Sequence, residues 1–413
     1  MPDISIAVAD LRIGHFVKLP GSWKDHPFLF SSFRIKDEEQ LQIIRNLGLA
    51  QVVIDPYRST GTIPEPAPLE VVPPTPIEEV APAPAAPEDP IRQQQQDLRR
   101  SMRFADRQFS NALSPLRESL GQLNLKPDEG LATVAQLIRT AAAHLTQTEE
   151  PIGLQLVRSV QQGDVLLLHS LNTAYIAMLM AREAGWSPLE IENAGLAALV
   201  HDIGELKIPP QISRKRVELT KSEINFMRMH VQYGFDQLTQ LKAFSPEIRQ
   251  AVLQHQERLD GSGYPNGLKG EQIGPLARLI SVADYYEEQL HPRSATRPGQ
   301  PNQVVAALFK KADIWFDGGF IKLLIKVLGI YPPGSLVRLS DETLALVMAS
   351  VPETPLKPIV LPYEKGRVSE GVALIPLQQD ERQISGLCKQ EELTQSQVDF
   401  FSLGKHFCYY FTS

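Results

Sequence analysis

Two segments of the sequence contain the residue types of a metal site. His201 and Asp202 are adjacent in the run LVHDI, and they offer an imidazole nitrogen and a carboxylate that can bridge two cations. A second segment, residues 255–265, reads HQERLDGSGYP: it begins with another potential ligand, His255, and ends in a glycine-rich turn. Divalent metals at the hard or borderline end of the scale accept imidazole and carboxylate together, so these segments indicate a metal centre.

These residues resemble the HD-GYP family, metal-dependent phosphodiesterases that hydrolyse the bacterial messenger cyclic di-GMP. The resemblance covers roughly residues 168–293, and weaker similarity continues through residues 329–334. Any one of the histidines alone would more often be a core or surface residue. Matched residue by residue, however, the metal ligands shared by the family correspond to six positions here: His169, His201, Asp202, His230, His255 and Asp284.

The resemblance implies two divalent ions, iron or manganese, that share Asp202. His169, His201 and Asp284 would complete one ion's ligands, and His230 and His255 would complete those of the other. A bridging carboxylate holds two ions about 3.5–4 Å apart, a separation that suits the attacking and leaving oxygens of a phosphodiester. Asp202 is therefore also the predicted catalytic residue.

The segment DGSGYP, residues 260–265, is the second signature of the family. Glycines such as Gly263 permit backbone angles closed to other residues, and Pro265 stiffens the exit from the turn. The resemblance implies that Tyr264 lines the nucleotide cleft, where its ring can stack on a purine. Arg293 occupies the place of an arginine that contacts the substrate phosphate in relatives, and its planar guanidinium suits that role.

Four positions depart from the family pattern. Val165 and Gln256 replace a glutamate and a second histidine that serve a third ion in some members, so two ions are expected. Glu205 and Thr296 each replace a lysine. Reversing one charge beside an anionic substrate could cost several kcal/mol, since a unit charge at about 6 Å contributes roughly 3 kcal/mol at an effective dielectric near 20. Lys207, two residues further on, could substitute for the lost cation.

Two functions from different classes follow from this pattern. The first is a phosphodiesterase that opens cyclic di-GMP to pGpG, with further hydrolysis to GMP left open. The second is a degenerate module that binds metal or nucleotide and acts as a sensor or scaffold without turnover. The six ligands favour the enzyme, whereas Glu205, Gln256 and Thr296 favour the module. The complete Gly-Tyr-Pro loop disfavours hydrolysis of a different nucleotide.

Three capped helices are predicted to position the ligands. Their N-terminal signatures are Ser187-Pro-Leu-Glu190, Thr220-Lys-Ser-Glu223 and Ser245-Pro-Glu247. They place His201 and Asp202 at the end of the first helix, His230 in the middle of the second and His255 late in the third. Residues 92–290 are predicted to be helical throughout.

The predicted fold is mainly α, an HD-type helical bundle with a small α+β domain before it and a short β element after it. Domain boundaries are expected at 1–60, 61–91, 92–330 and 331–413. The first domain resembles a domain of unknown function common ahead of HD-GYP domains; it has strands near 4–8, 11–19 and 51–54 and a helix capped by Asp37. Trp23, His26 and Phe28 are predicted to belong to its core and turns. Residues 61–91 form a proline-rich, extended linker.

Composition limits the remaining possibilities. The 413 residues are 43% hydrophobic and 22% charged, as in globular proteins. A net charge of −7 provides no basic surface for DNA. Cys388 and Cys408 are too few for a disulfide framework, no apolar run approaches a membrane span, and no signal peptide is recognised. A cytoplasmic protein that binds cyclic di-GMP is expected; protein partners in signalling and the oligomeric state are left open.

Overall fold

The chain divides into two compact units, residues 1–86 and 87–413. The computed structural model describes residues 4–18, 32–46, 51–56, 58–60, 90–122, 126–147, 149–158, 165–215, 217–241, 244–292, 298–403 and 407–412. Several predicted features lie outside these ranges: nearly all of the proline-rich tract, Trp23, His26, Phe28, Arg293 and Thr296.

The first unit is a small α+β structure. Its elements are β1 (Ile4–Ala7), β2 (Phe16–Lys18), β3 (Ser32–Arg34), α1 (Glu38–Asn46) and β4 (Gln51–Ile54). The strands form an antiparallel sheet in the order β1-β4-β2-β3. Asp37 accepts a hydrogen bond from the backbone N–H of Gln40 at 2.9 Å, which confirms the predicted start of the helix. Strand β3 was not predicted, because its three residues contain one apolar side chain and are too few to show a periodic pattern.

The second unit contains the helices of the predicted bundle, and the mainly α fold is confirmed. They are α2 (Pro90–Gln122), α3 (Pro127–Thr146), α4 (Val165–Glu183), α5 (Pro188–Val200), α6 (Pro210–Ser213), α7 (Lys221–Arg228), α8 (His230–Thr239), α9 (Pro246–Gln254), α10 (Pro275–Leu290), α11 (Pro301–Phe309), α12 (Gly318–Leu328) and α13 (Gln395–Phe401). Helix α4 lies at the centre and packs against α5, α10 and α12. Its residues from Leu167 to Ala181 are all buried, so the bundle is built around it.

Helix α4 is also long and apolar enough to cross a bilayer, contrary to the expectation that no apolar run approaches that length. Its apolar window is 83% buried inside the protein, and no other helix of the described ranges has such a composition. Burial on every side explains why the helix lacks a polar face.

Among the described residues, an antiparallel sheet of seven strands packs against the bundle. They are β5 (Leu154–Val157), β6 (Leu336–Leu339), β7 (Leu344–Ala349), β8 (Ile359–Pro362), β9 (Ile375–Pro376), β10 (Ile384–Leu387) and β11 (Cys408–Phe411). Every pairing among them is antiparallel, and β6 and β7 form the predicted C-terminal β element. Strand β5 shows that the prediction of unbroken helix over 92–290 was wrong. Four consecutive buried residues have no periodicity that separates a strand from a helix.

The predicted helix starts form locally. Ser187 with Glu190 and Thr220 with Glu223 make reciprocal capping boxes, and Ser245 caps α9. The prediction that His230 lies in the middle of a helix was wrong, because α7 ends at Arg228 and α8 begins at His230. At the junction the N–H of Met229 bonds the carbonyl of Phe226, only three residues back, which tightens the chain.

Candidate metal centre

The six predicted ligands lie together in the interior of the second unit. Helix α4 carries His169, the end of α5 carries His201 and Asp202, and α10 carries Asp284. His230 begins α8 and His255 follows α9. The exposed fractions are at most 5%: His169 2%, His201 0%, Asp202 5%, His230 5%, His255 0% and Asp284 3%. The packing of these helices thus brings residues from five regions of the sequence to one point.

Asp202 lies between two pairs of histidines. Its Oδ2 is 3.6 Å from Nε2 of His169 and 3.4 Å from Nε2 of His201. Its Oδ1 is 3.2 Å from Nε2 of His230 and 3.5 Å from Nε2 of His255. Because each carboxylate oxygen faces a different pair, the side chain has the arrangement of a ligand shared by two cations.

The two histidine pairs divide the cluster into two halves, one with His169 and His201 and the other with His230 and His255. Asp284 belongs to the first half. Its Oδ1 is 3.2 Å from Nε2 of His169 and 3.4 Å from Nε2 of His201. The halves adjoin, because ligand atoms of His201, His255 and Asp284 also lie within 4.8 Å of one another. The cluster thus offers one position with His169, His201 and two carboxylates, and another with two histidines and one carboxylate.

Hydrogen bonds on the outer ring nitrogens orient the imidazoles. Nδ1 of His201, His230 and His255 each donates to the backbone carbonyl three residues earlier, at 2.6, 2.7 and 2.8 Å respectively. A carbonyl oxygen only accepts, so the proton resides on Nδ1. Nδ1 of His169 contacts the carboxylate of Glu287 instead. In the neutral rings, every Nε2 lone pair therefore points into the cluster.

This donor set fits divalent cations. Nε2 of His169 lies 3.1 Å from Nε2 of His201, and Nε2 of His230 lies 3.3 Å from Nε2 of His255. Unprotonated nitrogens at these distances repel each other, and ionised carboxylates have no proton to place between them. Cations between the rings remove the repulsion. Imidazole held by an outer hydrogen bond is the usual form of a histidine ligand.

The ionisation of the cluster agrees with its chemistry. Burial alone would raise the pKa of Asp284, but hydrogen bonds from His169 and His201 hold it well below its ordinary value. Burial would lower the pKa of His201, but Asp202 and Asp284 raise it well above its ordinary value. When the cluster holds no cation, the raised pKa of His201 favours a proton on its ring, and a cation that binds the same carboxylates should displace this proton.

Gln256 and Arg258 form a hydrogen-bonded chain that orients Asp284. The sequence analysis did not predict this role for either residue. The Gln256 amide donates to Oδ2 of Asp284 at 3.0 Å, and Arg258 donates to Oε1 of Gln256 at 3.2 Å. Arg258 is fixed in turn by the backbone carbonyls of His255 and Glu257, at 3.2 and 2.8 Å. Gln256, which replaces a histidine ligand of the family, thus orients the ligand Asp284. Its place next to His255 was the only sequence signal for this role.

The glycine-rich loop folds back onto the end of α9. The buried Glu257 carboxylate accepts from the backbone N–H groups of Asn266 and Leu268, at 2.7 and 3.0 Å. A Cβ on Gly263 would lie 2.4 Å from the backbone nitrogen of Arg258, so the close approach of two backbone segments explains why a glycine is needed here. A positive φ, the reason expected from sequence, applies instead to Gly261, at +84°.

Tyr264 reaches the half of the cluster that contains His230. The two rings meet edge to face with centroids 6.2 Å apart, and the exposed Arg228 guanidinium lies over the Tyr264 ring at 5.1 Å. The Tyr264–Pro265 peptide bond is cis. Gly263, Tyr264 and Pro265 thus lie in the loop beside the cluster, as expected, whereas Arg293 is outside the described residues.

Glu205 acts on this same half. It is half-buried in a short 3-10 turn, residues 203–207, directly after Asp202. Burial lowers the pKa of His230, but the negative charges of Asp202 and Glu205 contribute to a net increase. The Lys207 side chain is exposed at the far end of the turn. The negative charge of Glu205, expected from the sequence to lie near the metal site, therefore raises the pKa of His230 in the cluster.

Two family models match the chain. Residues 131–319 match a model described as an HD domain. Residues 3–133 match a model described as a domain of unknown function, DUF3391. Both agree with the resemblances stated from sequence.

Individual relatives extend this result. The chain is 30% identical over 368 residues to a cyclic di-GMP phosphodiesterase of Pseudomonas aeruginosa, which covers 88% of this chain and 85% of the relative. It is 35% identical over 178 residues to a 3′3′-cGAMP-specific phosphodiesterase of Vibrio cholerae, covering 42% of this chain and 38% of the relative. A solved HDG"Y"P protein of Bdellovibrio bacteriovorus covers 79% of this chain and 99% of its own, at 16% identity, but its TM-score of 0.43 is too low to support an argument about the site.

Proposed function

Since the chain belongs to the HD-GYP family, we propose that it hydrolyses cyclic di-GMP to linear pGpG, in the cytoplasm of a bacterium that uses this second messenger. The observation that carries the proposal is the position of Asp202 between two histidine pairs, with one carboxylate oxygen toward each. A phosphodiester needs charge stabilised at two oxygens, and a shared carboxylate is how such sites hold two cations.

We propose that two ions, iron or manganese, bind this cluster. His169, His201 and Asp284 would hold one, His230 and His255 the other, and Asp202 both. When bound, such ions lower the pKa of water and neutralise charge on the phosphodiester. A stoichiometry of two is supported by Gln256, whose amide is engaged with Asp284 and Arg258. Val165, at the start of α4, offers no ligand atom.

The protein's own residues would bind and orient the dinucleotide. Tyr264, flanked by Gly263 and Pro265, presents an aromatic ring beside the cluster on which a guanine can stack. Arg228 lies over that ring and is exposed, so its guanidinium is available to a phosphate oxygen. We also assign a phosphate contact to Arg293, on the family pattern alone.

The rival function is a module that binds metal or nucleotide as a sensor or scaffold without turnover. Glu205 is the observation in its favour, because the charge of this residue reaches His230. A related question is the choice between two cyclic dinucleotides, since relatives act on cyclic di-GMP or on 3′3′-cGAMP.

Turnover measurements separate these possibilities. Protein purified without oxygen and loaded with iron or manganese should convert cyclic di-GMP to pGpG faster than it converts 3′3′-cGAMP. Chromatography of the products measures both rates. Analysis of the same samples for GMP decides whether the second phosphodiester is also cleaved. Protein with two bound ions that binds cyclic di-GMP but leaves it intact would establish the module instead.

We expect Glu205→Lys to raise turnover of cyclic di-GMP by about tenfold or more, roughly 1.4 kcal/mol of barrier. The substitution replaces a repelling charge near His230 with an attracting one. Part of the gain should appear as a lower KM, and added salt should reduce it, because screening weakens interactions between partly exposed charges. Glu205→Gln, which only removes the charge, should give an intermediate gain.

Arg228→Gln serves as the opposite charge change in the same assay and should raise KM. Lys207→Gln is the matched control, because Lys207 lies on the Glu205 turn but is exposed at its far end. An unchanged rate in Glu205→Lys together with a loss in Lys207→Gln would show that Lys207 already offsets the acidic residue.

A further inference from the structure

A buried carboxylate lies directly behind the ligand His169. Glu287 follows Asp284 by three residues on α10 and is 0% exposed. Three side chains surround it: His169 contacts it through Nδ1, Asn172 donates from Nδ2 at 2.9 Å, and Nδ1 of His291 lies at 2.8 Å. A buried charge is stable only with such partners, and here one partner belongs to the candidate metal centre.

The other two partners both hold the same piece of backbone near the end of the sequence. Asn172 donates to the carbonyl of Phe407 at 2.8 Å, and its Oδ1 accepts from the N–H of Tyr409 at 3.1 Å. Nε2 of His291 accepts from the N–H of Phe407 at 2.9 Å. The proton of His291 therefore resides on Nδ1 and is donated to Glu287.

The backbone beyond Phe407 is itself firmly placed. It continues as β11, which pairs with β5 along four residues and packs against α4. The rings of Tyr410 and Tyr175 meet edge to face with centroids 5.0 Å apart. The backbone at the start of β11 is thus connected to His169 by three successive hydrogen bonds, through Asn172 or His291 and then through Glu287.

We infer that the C-terminal strand is part of the support of the metal centre, and that Glu287, Asn172 and His291 are positioning residues for His169. Outer partners of a histidine ligand fix its tautomer and ring direction, and their loss typically lowers metal affinity about 10–100-fold. The inference rests on the proposed function, in which His169 belongs to one ion only. The network should therefore affect the ion held with His201 and Asp284, and leave the other unchanged.

The test uses full-length protein loaded with manganese, with the two dissociation constants measured by chelator competition and elemental analysis. Glu287→Gln keeps the shape but removes the charge, and His291→Ala breaks the connection to Phe407. Both substitutions should lower the affinity for the ion held by His169 by at least about tenfold. His291→Gln can still donate to Glu287 and accept from Phe407, so it should restore much of the affinity.

Thr412→Val is the matched control. Thr412 anchors the far end of the same strand by accepting from the N–H of Gly153 at 2.8 Å, without touching Glu287. It should leave both ions in place. The inference would be overturned in favour of a general folding role if the Glu287 and His291 variants lost affinity equally for both ions. The same would hold if their loss of affinity simply followed a lower Tm of the metal-free protein. Unchanged affinities in His291→Ala would also overturn the inference, and this result decides the matter if Glu287→Gln fails to fold. Wild-type protein without two ions would instead defeat the proposed function.

Discussion

Replacing Asp202 with alanine is expected to remove both metal ions and to lower turnover of cyclic di-GMP at least about a thousandfold, or roughly 4 kcal/mol of barrier. The reason is geometric: Oδ2 of Asp202 faces His201 at 3.4 Å and Oδ1 faces His230 at 3.2 Å, so the substitution takes a ligand from both halves. Elemental analysis gives the metal content, and chromatography gives the rate.

Asp284→Ala is the informative comparison, because among the four histidines Asp284 forms close contacts with His169 and His201 and not with the His230 half. It should remove one ion and leave the one held by His230 and His255. Asp236→Ala controls for the loss of a carboxylate from the same domain, since Asp236 is exposed on α8 and bonds Gln232. A full metal complement in Asp202→Ala would contradict the bridging role, and so would identical behaviour of the Asp202 and Asp284 variants.

Gly204→Ala is expected to damage both the fold and the metal centre. A Cβ at Gly204 would lie 2.0 Å from the carbonyl oxygen of His230 and 2.5 Å from the nitrogen of Gly234. Both are backbone atoms, so either the turn after Asp202 or helix α8 must shift. We expect a loss of about 3 kcal/mol or more in the free energy of unfolding, measured in denaturant, because overpacking a tight interior displaces backbone.

The same shift separates Asp202 from His230, so the ion of that half should bind more weakly than in the wild type. Gly121→Ala is the matched control: nothing lies within 4 Å of the added Cβ, and the position is in a helix. Its stability should change by no more than about 1 kcal/mol, in the stabilising direction. Full stability and two tightly bound ions in Gly204→Ala would show that the two segments can separate without cost to the site.

Residues close together in the sequence determined much of this protein. Ser187 with Glu190 and Thr220 with Glu223 form the predicted caps because both partners lie within one turn of the same helix. Apart from the adjacent His201 and Asp202, the six ligands are far apart in the sequence, and the resemblance to HD-GYP proteins predicted that they cluster; all six side chains do lie together. The caps depend on local backbone geometry and on the chemistry of single side chains, which the sequence states directly.

Features that depend on packing between distant segments needed the tertiary structure. Strand β5 forms because β11, some 250 residues later, supplies its hydrogen-bonding partners. Helix α8 begins at His230, where the turn that contains Gly204 packs against the backbone of His230 and Gly234. Glu287 supports His169 only because α4 and α10 lie side by side, and its connection to Phe407 joins segments that share no local pattern. A single sequence lists these residues but contains no distance between them, so only folding determines which of them meet.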